Sequence, residues 1–107
     1  MDDMILLSKA FSDLNRLKIT ALIQREKELC VCEICDTLKL SQPLVSRHLK
    51  QLKESSVLQS YQRGKWIIYT ITSKPTPILQ AYLQELHGYE KTLGELCVCS
   101  RVSHAHQ

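Results

Sequence analysis

The run Ser41-Gln42-Pro43-Leu44-Val45-Ser46-Arg47-His48-Leu49-Lys50 restricts the fold more than any other part of the chain. Ser41 is a ready N-cap, and Pro43 fits the first helical turn because its missing N–H would have had no intrahelical partner. The spacing predicts a helix over 42–54, with Val45, His48, Leu49 and Leu52 on one face at i, i+3, i+4 and i+7. Gln42, Ser46, Arg47, Lys50 and Lys53 lie on the other face. A helix that is greasy on one side and short, polar and basic on the other suits a docked element with a free reading face.

The flanking segments extend this pattern. Residues 3–11 are apolar and helical in tone. Ser12 or Asp13 can cap a second helix with the stripe Leu14, Leu17, Ala21 and Leu22, ended by Arg25-Glu26-Lys27-Glu28. A short third helix is expected over 31–39, burying Val31, Ile34 and Leu38. After the capped helix come two β-rich runs, 57–62 and 65–71, joined by Arg63-Gly64, where glycine can supply a positive φ. Pro75 and Pro77 break that pattern, and a last helix begins near Pro77 and carries apolar residues as far as Leu93. This order predicts a mainly α fold with a β-hairpin wing, a winged helix-turn-helix domain over 1–95 and a tail over 96–107. The first and last helices are more apolar than one small core requires, so they are expected to join a homodimer.

At 107 residues the chain holds one domain. Its net charge of +3, from 14 Lys and Arg against 11 Asp and Glu, is too small to identify a nucleic-acid partner alone. Placement says more: residues 47–65 hold Arg47, Lys50, Lys53, Arg63 and Lys65 against the single acid Glu54. Gln42 is expected to pair with adenine and Arg47 with guanine. Ser41, Ser46 and Lys50 suit phosphates or nearby base edges, and Arg63 and Lys65 suit flanking DNA. The partner expected is double-stranded operator DNA, read by two helices about one turn, roughly 34–36 Å, apart. His48, on the apolar stripe, is expected to be a structural histidine bonded between helices. No nucleophile–base pair or phosphate-cradling loop points to an enzyme.

Cys30, Cys32 and Cys35 stand within six residues just before this unit. The acidic start Met1-Asp2-Asp3 is no signal-peptide n-region, and no apolar run reaches membrane-spanning length. A cytoplasmic chain without a membrane partner is expected, in which thiols stay reduced and act as soft-ion ligands or redox groups. Cys32 and Cys35 share one side of a helix, whereas Cys30 would sit about 200° from Cys32 at roughly 3.6 residues per turn. Convergence therefore requires that the first turn unwinds or that Cys30 precedes the helix. On this reading, ion capture distorts the helix start and Cys30 is the thiol to be brought in. Three sulfurs without a nearby histidine suit As(III) or Sb(III), while zinc prefers four ligands. Cys97 and Cys99 form a second thiol pair in the tail, with a sensing, redox or silent role.

The chain resembles the ArsR (ArsR/SmtB) family of metal-responsive repressors, in its arsenic-sensing branch. The resemblance covers roughly residues 5–95. Its specific part is Glu28-Leu29-Cys30-Val31-Cys32-Glu33-Ile34-Cys35, the segment from Ser41 to Leu49, and Gly64-Lys65-Trp66. It implies a homodimeric repressor of a detoxification operon that leaves DNA when As(III) binds Cys30, Cys32 and Cys35. The family's cadmium and lead sensors add thiols from an N-terminal arm that here has none. Its zinc sensors use a site on the last helix, of which His87 and Glu90 match one half; Lys74 and Thr76 stand where the other half belongs. His87 and Glu90 are expected near the dimer surface. The rivals are a thiol-redox repressor on the same fold, a Cd-, Pb- or Zn-responsive member of the family, and a small zinc-binding structural module.

Overall fold

Three of the helices start at a side-chain cap. In the computed structural model, which describes residues 1–97, Asp13 accepts a hydrogen bond from the Arg16 N–H at 3.1 Å and opens α2 (Leu14–Glu26). Ser41 accepts from the Leu44 N–H and opens α4 (Gln42–Glu54) with Pro43 in its first turn. Thr76 accepts from the Leu79 N–H at 3.2 Å and opens α5 (Pro77–His87). Before them lies α1 (Asp2–Ala10), and between them lie α3 (Val31–Leu38) and a hairpin of β2 (Leu58–Arg63) and β3 (Trp66–Ile71). Gly64, at φ +62°, and Lys65 make its two-residue turn.

Apolar burial ties these elements together. Ile19, Leu22 and Ile23 of α2, Ile34 of α3, and Val45, Leu49 and Leu52 of α4 are fully excluded from solvent. A buried leucine contributes on the order of 1.5–3 kcal/mol, so this shared core fixes α4 against α2 and α3. The fold is the expected one: mainly α, with a β-hairpin wing behind a helix-turn-helix.

Two details differ from the sequence reading. Glu28–Cys30 is a strand, β1, paired antiparallel with β3 so that Cys30 faces Ile68 in register; the sheet order is β1-β3-β2. Three residues cannot display a period of two, so this strand exists through its pairing rather than through its own pattern. The last helix also stops at His87, and a 3-10 turn (Glu90–Leu93) follows Gly88. Near the end of the described residues, Leu96 packs against the core, and the Cys97 N–H donates to Thr37 Oγ1 at 2.9 Å. Cys99, the other half of the expected tail pair, lies outside the described residues.

Candidate functional site

The reading face follows from how α4 is anchored. Val45, His48, Leu49 and Leu52 point inward, leaving Ser41, Gln42, Ser46, Arg47 and Lys50 exposed together. His48 fixes the helix to its neighbour through a polar lock. Arg16 donates to Ala10 O at 2.7 Å and to Lys9 O at 3.0 Å, and its NH1 lies 3.1 Å from His48 Nδ1. An arginine can only donate, so Nδ1 accepts and the ring is neutral. Burial pushes the His48 pKa down, and the Arg16 and Arg47 charges add to this against an upward pull from Asp13. His48 is thus the interhelical structural histidine that its place on the apolar stripe suggested.

The wing is joined to this helix by Lys53, whose Nζ donates to Ser60 Oγ at 2.8 Å. Lys65 is exposed at the hairpin tip, with its ammonium over the Trp66 ring. Arg63 is exposed as well, but its guanidinium folds back along β2. It pairs with both Glu28 carboxylate oxygens at 3.0 and 3.3 Å and stacks over Tyr61. The sequence showed the charge of Arg63 and not this partner 35 residues away.

The thiols straddle a strand–helix boundary. Cys30 ends β1 in extended geometry, φ −95° and ψ 169°, and occupies the N-cap of α3. Glu33, fully buried, accepts from the Cys30 N–H at 3.0 Å and holds that junction. Cys30 therefore precedes the helix, and no unwinding is needed to turn it toward Cys32: their Sγ atoms are 3.4 Å apart. Cys35, one turn further on, is half-buried; burial and the neighbouring Asp36 charge push its thiol pKa up. Cys35 and Cys97 are free thiols, and Cys32 is disulfide-bonded. Among the described residues, no three ligands of the Cys, His, Asp or Glu type are gathered for an ion.

Cys30, Cys32 and Cys35 line one open cavity of about 610 Å³, with Asp36, Gln42 and Trp66 also in its wall. Gln42 is the first residue of the reading helix and Trp66 the first of β3. The cavity thus touches both α4 and the hairpin, a contact that spacing along the chain does not reveal. His87 is exposed, whereas Glu90 is buried and turned inward, 2.9 Å from the Gln24 Nε2 that donates to it and 3.2 Å from His87 Nδ1.

An anchored helix with a free polar face, a wing beside it and a three-helix support define a winged helix-turn-helix regulator. The model of the arsR family of bacterial regulatory proteins matches residues 13–60. An arsenic resistance transcriptional regulator of Pseudomonas putida is 48% identical over 63 residues, 59% of this chain and 49% of that protein. The arsenical resistance operon repressor of Escherichia coli is 44% identical over 68 residues, 64% of this chain and 58% of that protein. The cadmium resistance regulatory protein CadC of Listeria innocua is 43% identical over 63 residues, 59% of this chain and 53% of that protein. The chain thus spans about half of the length of these relatives. Among solved structures, the transcriptional repressor PagR of Bacillus anthracis superposes with a TM-score of 0.69 at 31% identity, covering 80% of this chain and 94% of that one. The chain belongs to the arsR family.

Proposed function

We propose that this chain is a cytoplasmic, homodimeric, DNA-binding repressor of an arsenic-resistance operon, released from its operator when As(III) or Sb(III) binds Cys30, Cys32 and Cys35. The observation that carries the reading is the single cavity shared by the three cysteines, Gln42 and Trp66. An ion captured there pulls on β1 through Cys30 and on α3 through Cys32 and Cys35. The first residue of the reading helix and the root of the wing form another part of the same wall. Because Cys30 and Cys32 already approach each other, Cys35 is the thiol that closure draws in. Capture requires Cys32 as a reduced thiol, set free from its disulfide by a cellular dithiol reductant; the three thiol protons then leave as water with the three hydroxides of arsenous or antimonous acid.

Ser41, Gln42, Ser46, Arg47 and Lys50 read one operator half-site, with Arg63 and Lys65 on flanking phosphates. The homodimer closes through α1 and α5, where Met4, Ile5 and Leu6 on one helix and Ile78 and Tyr82 on the other leave large apolar side chains exposed. Moving the repressor from about 99% bound to 99% free needs roughly 10⁴-fold preference of the ion for the released form, a demand suited to three thiolate bonds and not to one.

The test is an electrophoretic shift of a duplex selected by the protein from random sequence, titrated with As(III), Cd(II), Zn(II) and peroxide. Cys32→Ser and Cys35→Ser should each keep DNA binding and lose release by As(III); loss of DNA binding in both variants would make the cysteines structural. A second reading, a thiol-redox repressor, is favoured by the disulfide at Cys32 beside the Cys30 sulfur. Release by peroxide without metalloid would select it. Release by Cd(II) at lower concentration than As(III) would instead place the chain with its cadmium-regulator relatives.

A further inference from the structure

We propose that Glu28 is a positioning residue that holds Arg63 away from DNA, so that duplex phosphate and Glu28 compete for one guanidinium. The proposal rests on the reading of the wing as a DNA contact and adds a built-in competitor to it.

The geometry is specific. Arg63 is the residue before the Gly64 turn, where an extended side chain would project from the hairpin tip. Instead it lies back over the Tyr61 ring, 5.3 Å from guanidinium carbon to centroid, and meets Glu28 on the opposite edge strand. NH1 donates to Oε1 at 3.0 Å and NH2 to Oε2 at 3.3 Å, a two-pronged carboxylate grip. The Tyr61 hydroxyl donates to Glu28 and accepts from Arg63 NH2 at 2.6 Å, so one phenol braces both partners. Glu28 is thus the acid on β1 that meets the wing's arginine.

Energies of the two states are close enough for exchange. The Arg63 side chain is 54% exposed and Glu28 34%, so water screens the pair and holds it only weakly together. A phosphate contact of similar strength also releases a condensed counterion. DNA can therefore take Arg63 from Glu28 but loses part of the gain in doing so. Glu28 also lies two residues before Cys30 on the same strand, so displacement of β1 at the thiols moves the competitor for the wing.

Full-length protein is titrated onto a random-sequence 30-base-pair duplex (length about three helical turns) by fluorescence anisotropy over a range of salt, without metalloid. Glu28→Gln should bind about two- to five-fold tighter, with the salt slope steeper by about one counterion. Tyr61→Phe, which keeps the ring and loses the brace, should move the same way by less. In an Arg63→Ala background both effects should vanish. Unchanged affinity and slope in Glu28→Gln, with normal binding by the unaltered protein, would overturn this proposal alone. An effect that persists without Arg63 would also overturn it, as simple removal of a negative charge. Absence of DNA binding by the unaltered protein would overturn the DNA reading and this proposal together.

Discussion

The reading helix and the thiol segment are neighbours in the chain and are built in opposite ways. α4 is a single element of 13 residues, seated by four buried side chains and the Arg16–His48 lock, and its functional face takes no part in that seating. The thiol segment has no element of its own: Cys30 closes a three-residue strand, while Cys32 and Cys35 ride the next helix. A reader benefits from rigidity, because base contacts demand a fixed register. A sensor benefits from a junction, because ligands on two elements turn bond formation into relative movement.

The largest break in this comparison is expected from Leu49→Ala. Leu49 is fully buried, so the truncation should cost about 2–5 kcal/mol in urea unfolding and remove DNA binding along with stability. Equal stability would mean that α4 is seated by something other than its apolar face. Arg47→Ala acts on the free face instead. It should leave the unfolding midpoint within about 0.5 kcal/mol and weaken the selected duplex by about 1–3 kcal/mol. Equal losses on selected and random duplex would reduce Arg47 to a phosphate contact.

The finest test concerns pH. The folded pKa of His48 lies below the ordinary value of 6.5, so the unfolded chain binds the proton first as pH falls. Its contribution to stability is fully present above that value and is lost as pH drops through the folded pKa. Urea midpoints measured from pH 7.5 downward should decline in the native protein, and the decline should be shallower in His48→Gln. Parallel profiles would show that the imidazole is protonated equally in both states.

The same contrast decides what the sequence disclosed. The bounds of α4 were legible because cap, proline and apolar stripe all lie inside it, and each acts over a single turn. β1 was not, since Glu28-Leu29-Cys30 owes its strand geometry to β3, nearly forty residues on by register with Thr70, Tyr69 and Ile68. That omission left two routes open for Cys30, an unwound first turn or a place before the helix, and the strand supplies the second. Arg63 was legible as a charge and illegible as half of an ion pair, because nothing local to Gly64 records where Glu28 ends up.

Trp66, noted above only as part of a wall, gives the molecule an optical gauge. It is the sole tryptophan of the chain, it borders the cavity that holds the three cysteines, and an ammonium sits over its ring. Indole emission responds to nearby charge and to heavy atoms. The unlabelled protein thus carries a single native fluorophore at the place where sensing and wing movement meet, and its colour and intensity belong to that place alone.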